Sequence, residues 1–255
     1  MNNSKFIDIY QLPIASNVCN QILREVIKLP LINPVISMAH VTMTPNNVSL
    51  WHQHKIMYEI YFIINGEGIL YYNNKSLKVQ KGAYLILPPN TPHKLKNTGN
   101  TDLEHLVFAI PTFNPNDVEI LNDCANETMD PEIFKYEKPP MTALDGALIY
   151  ELTDISTRNK LNIALATGFL PKSRKAIPHY HKISEEIYYI CSGIGRIIVG
   201  DECFNVAKGS TVYIPTNTIH ALENKSDTEE LYVLCITSPA YTKEDFLFPT
   251  NSKKL

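Results

Sequence analysis

No stretch of these 255 residues stays apolar for long. No window approaches the roughly 18 uninterrupted apolar residues that a membrane-spanning helix needs. The opening Met1-Asn2-Asn3-Ser4-Lys5 is polar, so neither a signal peptide nor a membrane partner is expected. Charge of one sign is also scarce. The 23 Lys and Arg against 26 Asp and Glu leave a formal charge of -3, which offers nothing to a polyanion, so no nucleic acid is expected as partner. Cysteine is sparse and scattered: five residues (Cys19, Cys124, Cys191, Cys203 and Cys235), odd in number, with no Cys-x-x-Cys pair. That excludes a disulfide framework as the organising device and fits reduced thiols in a cytoplasmic protein. Helix signals are few. The best spans Asn17–Leu29, where Asn17 caps, Val18, Ile22 and Val26 share a face, and Pro30 stops the run.

What the chain does have is an internal repeat. At an offset of 127, residues 52–97 align with 179–224 without a gap, and 19 of the 46 positions are identical. His52, His54, Glu59, Gly66, Gly82, Pro88, Asn90, His93 and Asn97 meet His179, His181, Glu186, Gly193, Gly209, Pro215, Asn217, His220 and Asn224. One domain has therefore been duplicated. Each copy reads as all-β. Glu59-Ile-Tyr-Phe-Ile-Ile64 and Glu186-Ile-Tyr-Tyr-Ile-Cys191 are β-branched and aromatic runs ending at glycine turns, and further short runs recur every eight to twelve residues. The expected division is an N-terminal segment with a short helix (1–33), a barrel (34–111), a linker (112–143), a second barrel (144–240) and a tail (241–255).

His52 and His54 are two apart on a predicted strand, so both side chains point to one face. Glu59 opens the next strand, and His93 follows a Pro-Pro-Asn-Thr-Pro turn onto a third. Inward faces of neighbouring strands in a closed barrel converge, which lets these four meet; the same holds for His179, His181, Glu186 and His220. Three neutral imidazoles and one carboxylate suit a divalent transition metal such as Fe, Mn, Ni, Cu or Zn, one per barrel. Tyr61 and Tyr188 follow the glutamates by two and should also point inward, to orient substrate, relay a proton or fill the barrel. Ile63 and Ile190 should do likewise and keep the interior apolar. Glu185 is a weaker ligand candidate than Glu186, because only Glu186 matches Glu59 in the repeat. Asn97 and Asn224 are expected to hold turn backbone, Lys172, Arg174 and Lys175 to lie on a solvated loop, and Trp51 to face away from the metal.

His52-Gln-His54-(x4)-Glu59-(x6)-Gly66 and Gly82-(x5)-Pro88-x-Asn90-(x2)-His93-(x3)-Asn97, with their counterparts from His179 to Asn224, resemble the two motifs of the cupin superfamily. Asn90 and Asn217 stand where that family often has glycine, and asparagine is the next residue to tolerate φ > 0. The resemblance implies two tandem double-stranded β-helix (jelly-roll) barrels with a few peripheral helices and a metal inside each. It is nearest to bicupin oxygenases of the quercetin dioxygenase-like group. It thus implies a dioxygenase acting on a small organic molecule, with Glu59 and Glu186 assisting deprotonation. A non-redox isomerase or lyase of a sugar-like or keto-acid substrate is the alternative, and a non-catalytic binder of metal or small ligand is a third. The partner expected is a small molecule, with a homodimer a further possibility.

Overall fold

A computed structural model describes residues 5–15, 21–29, 36–122, 131–136 and 139–250. These residues gather into two units. One holds 11–15, 21–29, 36–122 and 131–136; the other holds 5–10 and 139–250.

The first unit is two facing antiparallel layers. One sheet runs in the order Ile22–Leu29, Ile36–Met43, Leu103–Ile110, Tyr58–Asn65, Tyr84–Leu87; the other runs Val118–Ile120, His52–His54, His93–Asn97, Glu67–Tyr72, Lys75–Gln80, with Glu132–Ile133 added parallel at its edge. Alternation along the strands sends Val41, Tyr61, Ile63, Leu70, Val79, Leu95 and Leu103 inward to one apolar cluster. Full burial of each such side chain contributes about 1.5–3 kcal/mol before chain entropy is set against it. Residues 22–29 are therefore a strand, paired with Ile36–Met43, and not the helix expected over Asn17–Leu29. Of that helix, residues 17–20 lie outside the described residues. The i, i+4 spacing of Ile22 and Val26 also fits a period of two, and an open sheet edge beside Ile36–Met43 decides between the readings.

The second unit repeats the plan. Its main sheet runs Lys5–Asp8, Ser210–Ile214, Glu185–Ser192, Leu231–Ser238, Ala164–Leu170, Leu148–Glu151, Met141–Thr142. Facing it are Glu202–Ala207, Ile194–Val199 and His220–Asn224, with Tyr180–His181 paired to Phe246–Leu247 and His179 bridged to His220. Tyr188, Ile190, Ile197, Val199, Val212 and Leu231 fill the interior. The α-helix of the described residues, Ile155–Leu161, is capped by Asp154, whose carboxylate accepts from Thr157 N at 2.7 Å.

The two units keep equivalent irregularities. Gly66 and Gly193 have φ of 80° and 90°, and a Cβ on either would lie 2.6 Å from the carbonyl oxygen of Asp102 or Glu230. Only glycine fits that approach. Asn90 and Asn217 are left-handed, with φ of 61° and 57°, and their N–H groups donate to the carbonyls of His54 and His181 at 2.6 Å. Asn97 donates to the carbonyls of Met43 and Thr101 and accepts from Gly99 N, while Asn224 does the same for Leu170, Glu229 and Ser226. Both asparagines hold turns, as expected.

Candidate metal centres

His52–His54 lies beside His93–Asn97 in one sheet and Tyr58–Asn65 crosses in the other, so the four expected residues of the first unit meet inside the barrel. Their ligand atoms lie within 4.8 Å of one another, as do those of His179, His181, Glu186 and His220, and all eight residues are buried. Glu59 Oε2 stands 2.8 Å from His93 Nε2, 3.2 Å from His54 Nε2 and 3.9 Å from His52 Nε2. In the second unit Glu186 Oε2 is 3.1 Å from His220 Nε2 and 3.5 Å from His181 Nε2.

These distances fit an ion. Donors held about 2.1 Å from one metal at right angles lie about 3.0 Å apart, and those opposite each other about 4.2 Å apart. Tautomers agree. The Nδ1 atoms of His52, His93, His179 and His220 sit 2.8–3.0 Å from the carbonyl oxygens of Leu50, Thr91, Ile177 and Thr218. A carbonyl only accepts, so Nδ1 carries the hydrogen, and in a neutral ring Nε2 turns a bare lone pair inward. Glu186 Oε2 and His220 Nε2 are buried with no hydrogen-bond partner, although 3.1 Å apart. A cation satisfies both lone pairs at once.

Protonation follows the same logic. Burial, reinforced by His93, pushes His52 down to about 4, and burial with His220 pushes His179 down to about 3, so both rings are neutral near pH 7. Burial alone would raise Glu59 and Glu186, but the facing imidazoles of His54 and His93, or of His181 and His220, hold them below the usual carboxylate range. Burial works to lower His181 as well, yet Glu186 and Asp245 raise it. Burial, with Glu186 close by, lifts the Tyr188 phenol well above its ordinary value, so it keeps its proton. Both inward tyrosines stand edge-on to the third histidine: Tyr61 to His93 with ring centres 5.7 Å apart, Tyr188 to His220 at 5.9 Å.

Each quartet opens into a cavity, of about 100 Å³ in the first unit and about 240 Å³ in the second. Val41, Val107, Phe113 and Val118 wall the first; Leu165, Val233, Cys235 and Phe246 wall the second. Glu185 points away from the quartet and accepts from Tyr213 Oη at 2.7 Å. Trp51 packs on Tyr71 and under the Lys94 ammonium, away from the histidines. Lys172, Arg174 and Lys175 are exposed and do not line the second cavity.

The repeat runs further than a gapless alignment can follow. The loop between His93–Asn97 and Leu103–Ile110 is one residue shorter than its partner between His220–Asn224 and Leu231–Ser238, so the offset becomes 128. Pro111 then matches Pro239, both after cis peptide bonds, and Asp117 matches Asp245. Asp117 accepts from the N–H groups of Lys55, Ile56 and Met57 at 2.9–3.1 Å, and Asp245 from Ile183 and Ser184 at 2.8 and 3.0 Å. Each aspartate thus grips the turn between the histidine pair and the glutamate. After it, Val118 and Phe246 roof their cavities, and Phe246 stacks on His179 with ring centres 4.1 Å apart. Sequence reasoning missed both aspartates; allowing one gap at the shorter loop brings them into line.

The cupin domain family matches residues 39–109 and 167–237, together more than half of the chain. The chain belongs to the cupin family. With two such domains in tandem it is a bicupin, as its two barrels and two quartets require. Among similar proteins, Uncharacterized protein MJ1618 of Methanocaldococcus jannaschii is 38% identical over 112 residues, covering 44% of this cupin and 89% of the relative. An Oxalate-binding protein of Thermotoga maritima is 35% identical over 72 residues, covering 28% of this chain and 60% of the relative. Oxalate decarboxylase of Bacillus subtilis superposes with a TM-score of 0.69 at 19% identity, covering 93% of this chain and 77% of that one. Vicilin of Corylus avellana gives 0.70 at 14% identity, over 92% and 85%. Both structural likenesses show the fold. Among the described residues, no helix is long and apolar enough to cross a membrane.

Proposed function

We propose that this bicupin is a metal-dependent dioxygenase of a small organic substrate, and that the second barrel is where the reaction runs. The observation that carries the reading is a buried three-histidine, one-glutamate quartet opening into an apolar cavity of about 240 Å³. A redox-active divalent metal held by His179, His181, Glu186 and His220 would supply O₂ activation and polarise a substrate oxygen when bound. The residues of the chain do the rest. Glu186 stays ionised, so its carboxylate can take the proton of a substrate hydroxyl. Tyr188 stays protonated beside it and can donate a hydrogen bond to the oxyanion that results. Leu165, Val233, Cys235 and Phe246 exclude water from the intermediate. Glu59 and Tyr61 stand ready for the same parts in the smaller first cavity.

The test is oxygen uptake by the iron-, manganese-, nickel- and copper-loaded protein against a panel of small enols and hydroxyketones. Uptake equal to substrate consumed, abolished by Glu186→Gln, supports the reading. Turnover at an unchanged rate under nitrogen refutes it.

One observation favours a non-redox lyase or isomerase instead. Asp145, on the turn before Leu148–Glu151, lines the same cavity, and burial raises its carboxyl above the ordinary range, which suits a proton donor. Activity with zinc and without O₂, lost in Asp145→Asn, would select that reading. The name of the Thermotoga maritima relative also allows binding without turnover; ligand uptake with no product in either assay would select it.

A further inference from the structure

Two barrels built to one plan differ in the cations around their cavities. Arg158 and Lys243 line the second cavity, whereas none of the described residues lining the first is lysine or arginine. Lys243 is exposed at its position, but Arg158 is held. It sits in the helix Ile155–Leu161, inserted between the strands Leu148–Glu151 and Ala164–Leu170; the corresponding stretch of the first barrel lies outside the described residues. Asp154 caps the helix at its start, and Asn162 closes it in the left-handed conformation with its N–H on the Arg158 carbonyl at 2.8 Å. The Arg158 Nε–H donates to the Thr153 carbonyl at 3.1 Å, and Nη2 meets Glu151 Oε1 at 2.9 Å. Guanidinium offers five N–H donors, and these contacts use two. Nη1 makes no bond to protein among the described residues, and the side chain is 18% exposed. A rigidly placed fork with free donors at the edge of an apolar cavity matches the planar geometry of a carboxylate.

Tyr241 links this fork to the quartet. Its ring lies 5.8 Å from that of His181, perpendicular to it, and it lines the same cavity as Arg158 and Glu186. At about 30 Å³ for each water-sized group, the second cavity holds about eight non-hydrogen atoms and the first about three.

We infer that the second cavity takes a small organic anion whose carboxylate is gripped by Arg158, whose short apolar body lies against the wall, and whose other end reaches the quartet. The inference rests on the reading that the second quartet is the reaction site, and it adds the substrate class and the residue that selects it. Glu151 orients the guanidinium without consuming it, so the anion adds to the existing pair and need not break it.

The probes are the dicarboxylates from malonate to adipate, with the uncharged dimethyl ester of each as control, titrated calorimetrically into the metal-loaded full chain. One length binds at one per chain. Arg158→Gln weakens it at least tenfold, Arg158→Lys does not restore it, and the ester binds wild type and Arg158→Gln equally. Modification of Arg158 by phenylglyoxal in the unmutated protein, mapped by mass spectrometry, is slowed by the same diacid, which keeps the test independent of how the variants fold. Unchanged affinity in a folded Arg158→Gln, no protection from phenylglyoxal, or no binding by any member of the series overturns the inference. Elemental analysis of the same samples judges the quartet separately: two metal equivalents retained in His179→Ala/His220→Ala, where loss of one is expected, sink the underlying reading, whatever the diacids do.

Discussion

Replacing Asp117 by alanine removes one carboxylate and strands three donors. Lys55 N, Ile56 N and Met57 N approach its two oxygens at 3.1, 2.9 and 3.0 Å, and the aspartate is buried. Hydrogen bonds to a charged acceptor contribute about 1.5–3 kcal/mol each, and a buried donor left unpaired costs about 1–3 kcal/mol. The three are not equal. Lys55 and Ile56 are exposed, so water can reach their N–H groups once the carboxylate is gone, whereas Met57 is buried. The loss should therefore fall near the low end of the sum, about 3 kcal/mol, with Asp117→Asn costing roughly half because one carbonyl oxygen remains to accept. The same turn sets the separation of His54 and Glu59, so the first barrel should also bind metal about 10- to 100-fold more weakly, the range seen when a supporting residue is lost. Urea unfolding gives the first quantity. Competition with a chromophoric chelator gives the second, in a His220→Ala background that silences the other barrel. A variant with wild-type unfolding free energy and wild-type metal affinity would refute the claim that this carboxylate sets the turn.

Three further outcomes are expected. Elemental analysis should find about two metal equivalents per chain in the wild type, one in His93→Ala or His220→Ala and none in the double variant; unchanged content in the double variant would mean the quartets do not hold the ion. His105 is fully buried with both ring nitrogens unpartnered, and burial, with His40 nearby, pushes it down to about 3. Its depressed pKa leaves the unfolded chain to take up the proton first as pH falls below about 6.5, so folding loses about 1.4 kcal/mol per pH unit from there towards 3. Chelator-treated His105→Phe should then lose about 2 kcal/mol less than wild type between pH 7.5 and 5, and parallel losses in urea titrations would contradict this. Gly66→Ala should destabilise the first barrel by several kcal/mol, read as a fall in melting temperature, because its Cβ would meet the Asp102 carbonyl oxygen at 2.6 Å with φ at 80°. A melting temperature within a degree of wild type would show that this loop can yield.

Much of this protein is determined by local spacing, and for that reason it was legible. A single residue between His52 and His54 puts both on one face of a strand, the x4 interval carries the chain round a short turn to Glu59, and a second copy at a fixed offset leaves little room for coincidence. The barrels, the eight ligands, the inward Tyr61 and Tyr188 and the turns of Asn90 and Asn217 all follow from period two and from which residues tolerate φ > 0. Tertiary structure decided the rest. Ile22–Leu29 carries a pattern that suits helix or strand alike, and the neighbouring strand chose. Asp117 and Asp245 reach the metal-bearing turns from the far end of each domain, across 60 residues or more, a contact that no local pattern announces. Arg158 faces the second cavity because an inserted helix folds it there, while the more conspicuous Lys172, Arg174 and Lys175 remain in solvent. Ligand identity is set by chemistry written into side chains; cavity size and cavity charge are set by which distant segments close over them.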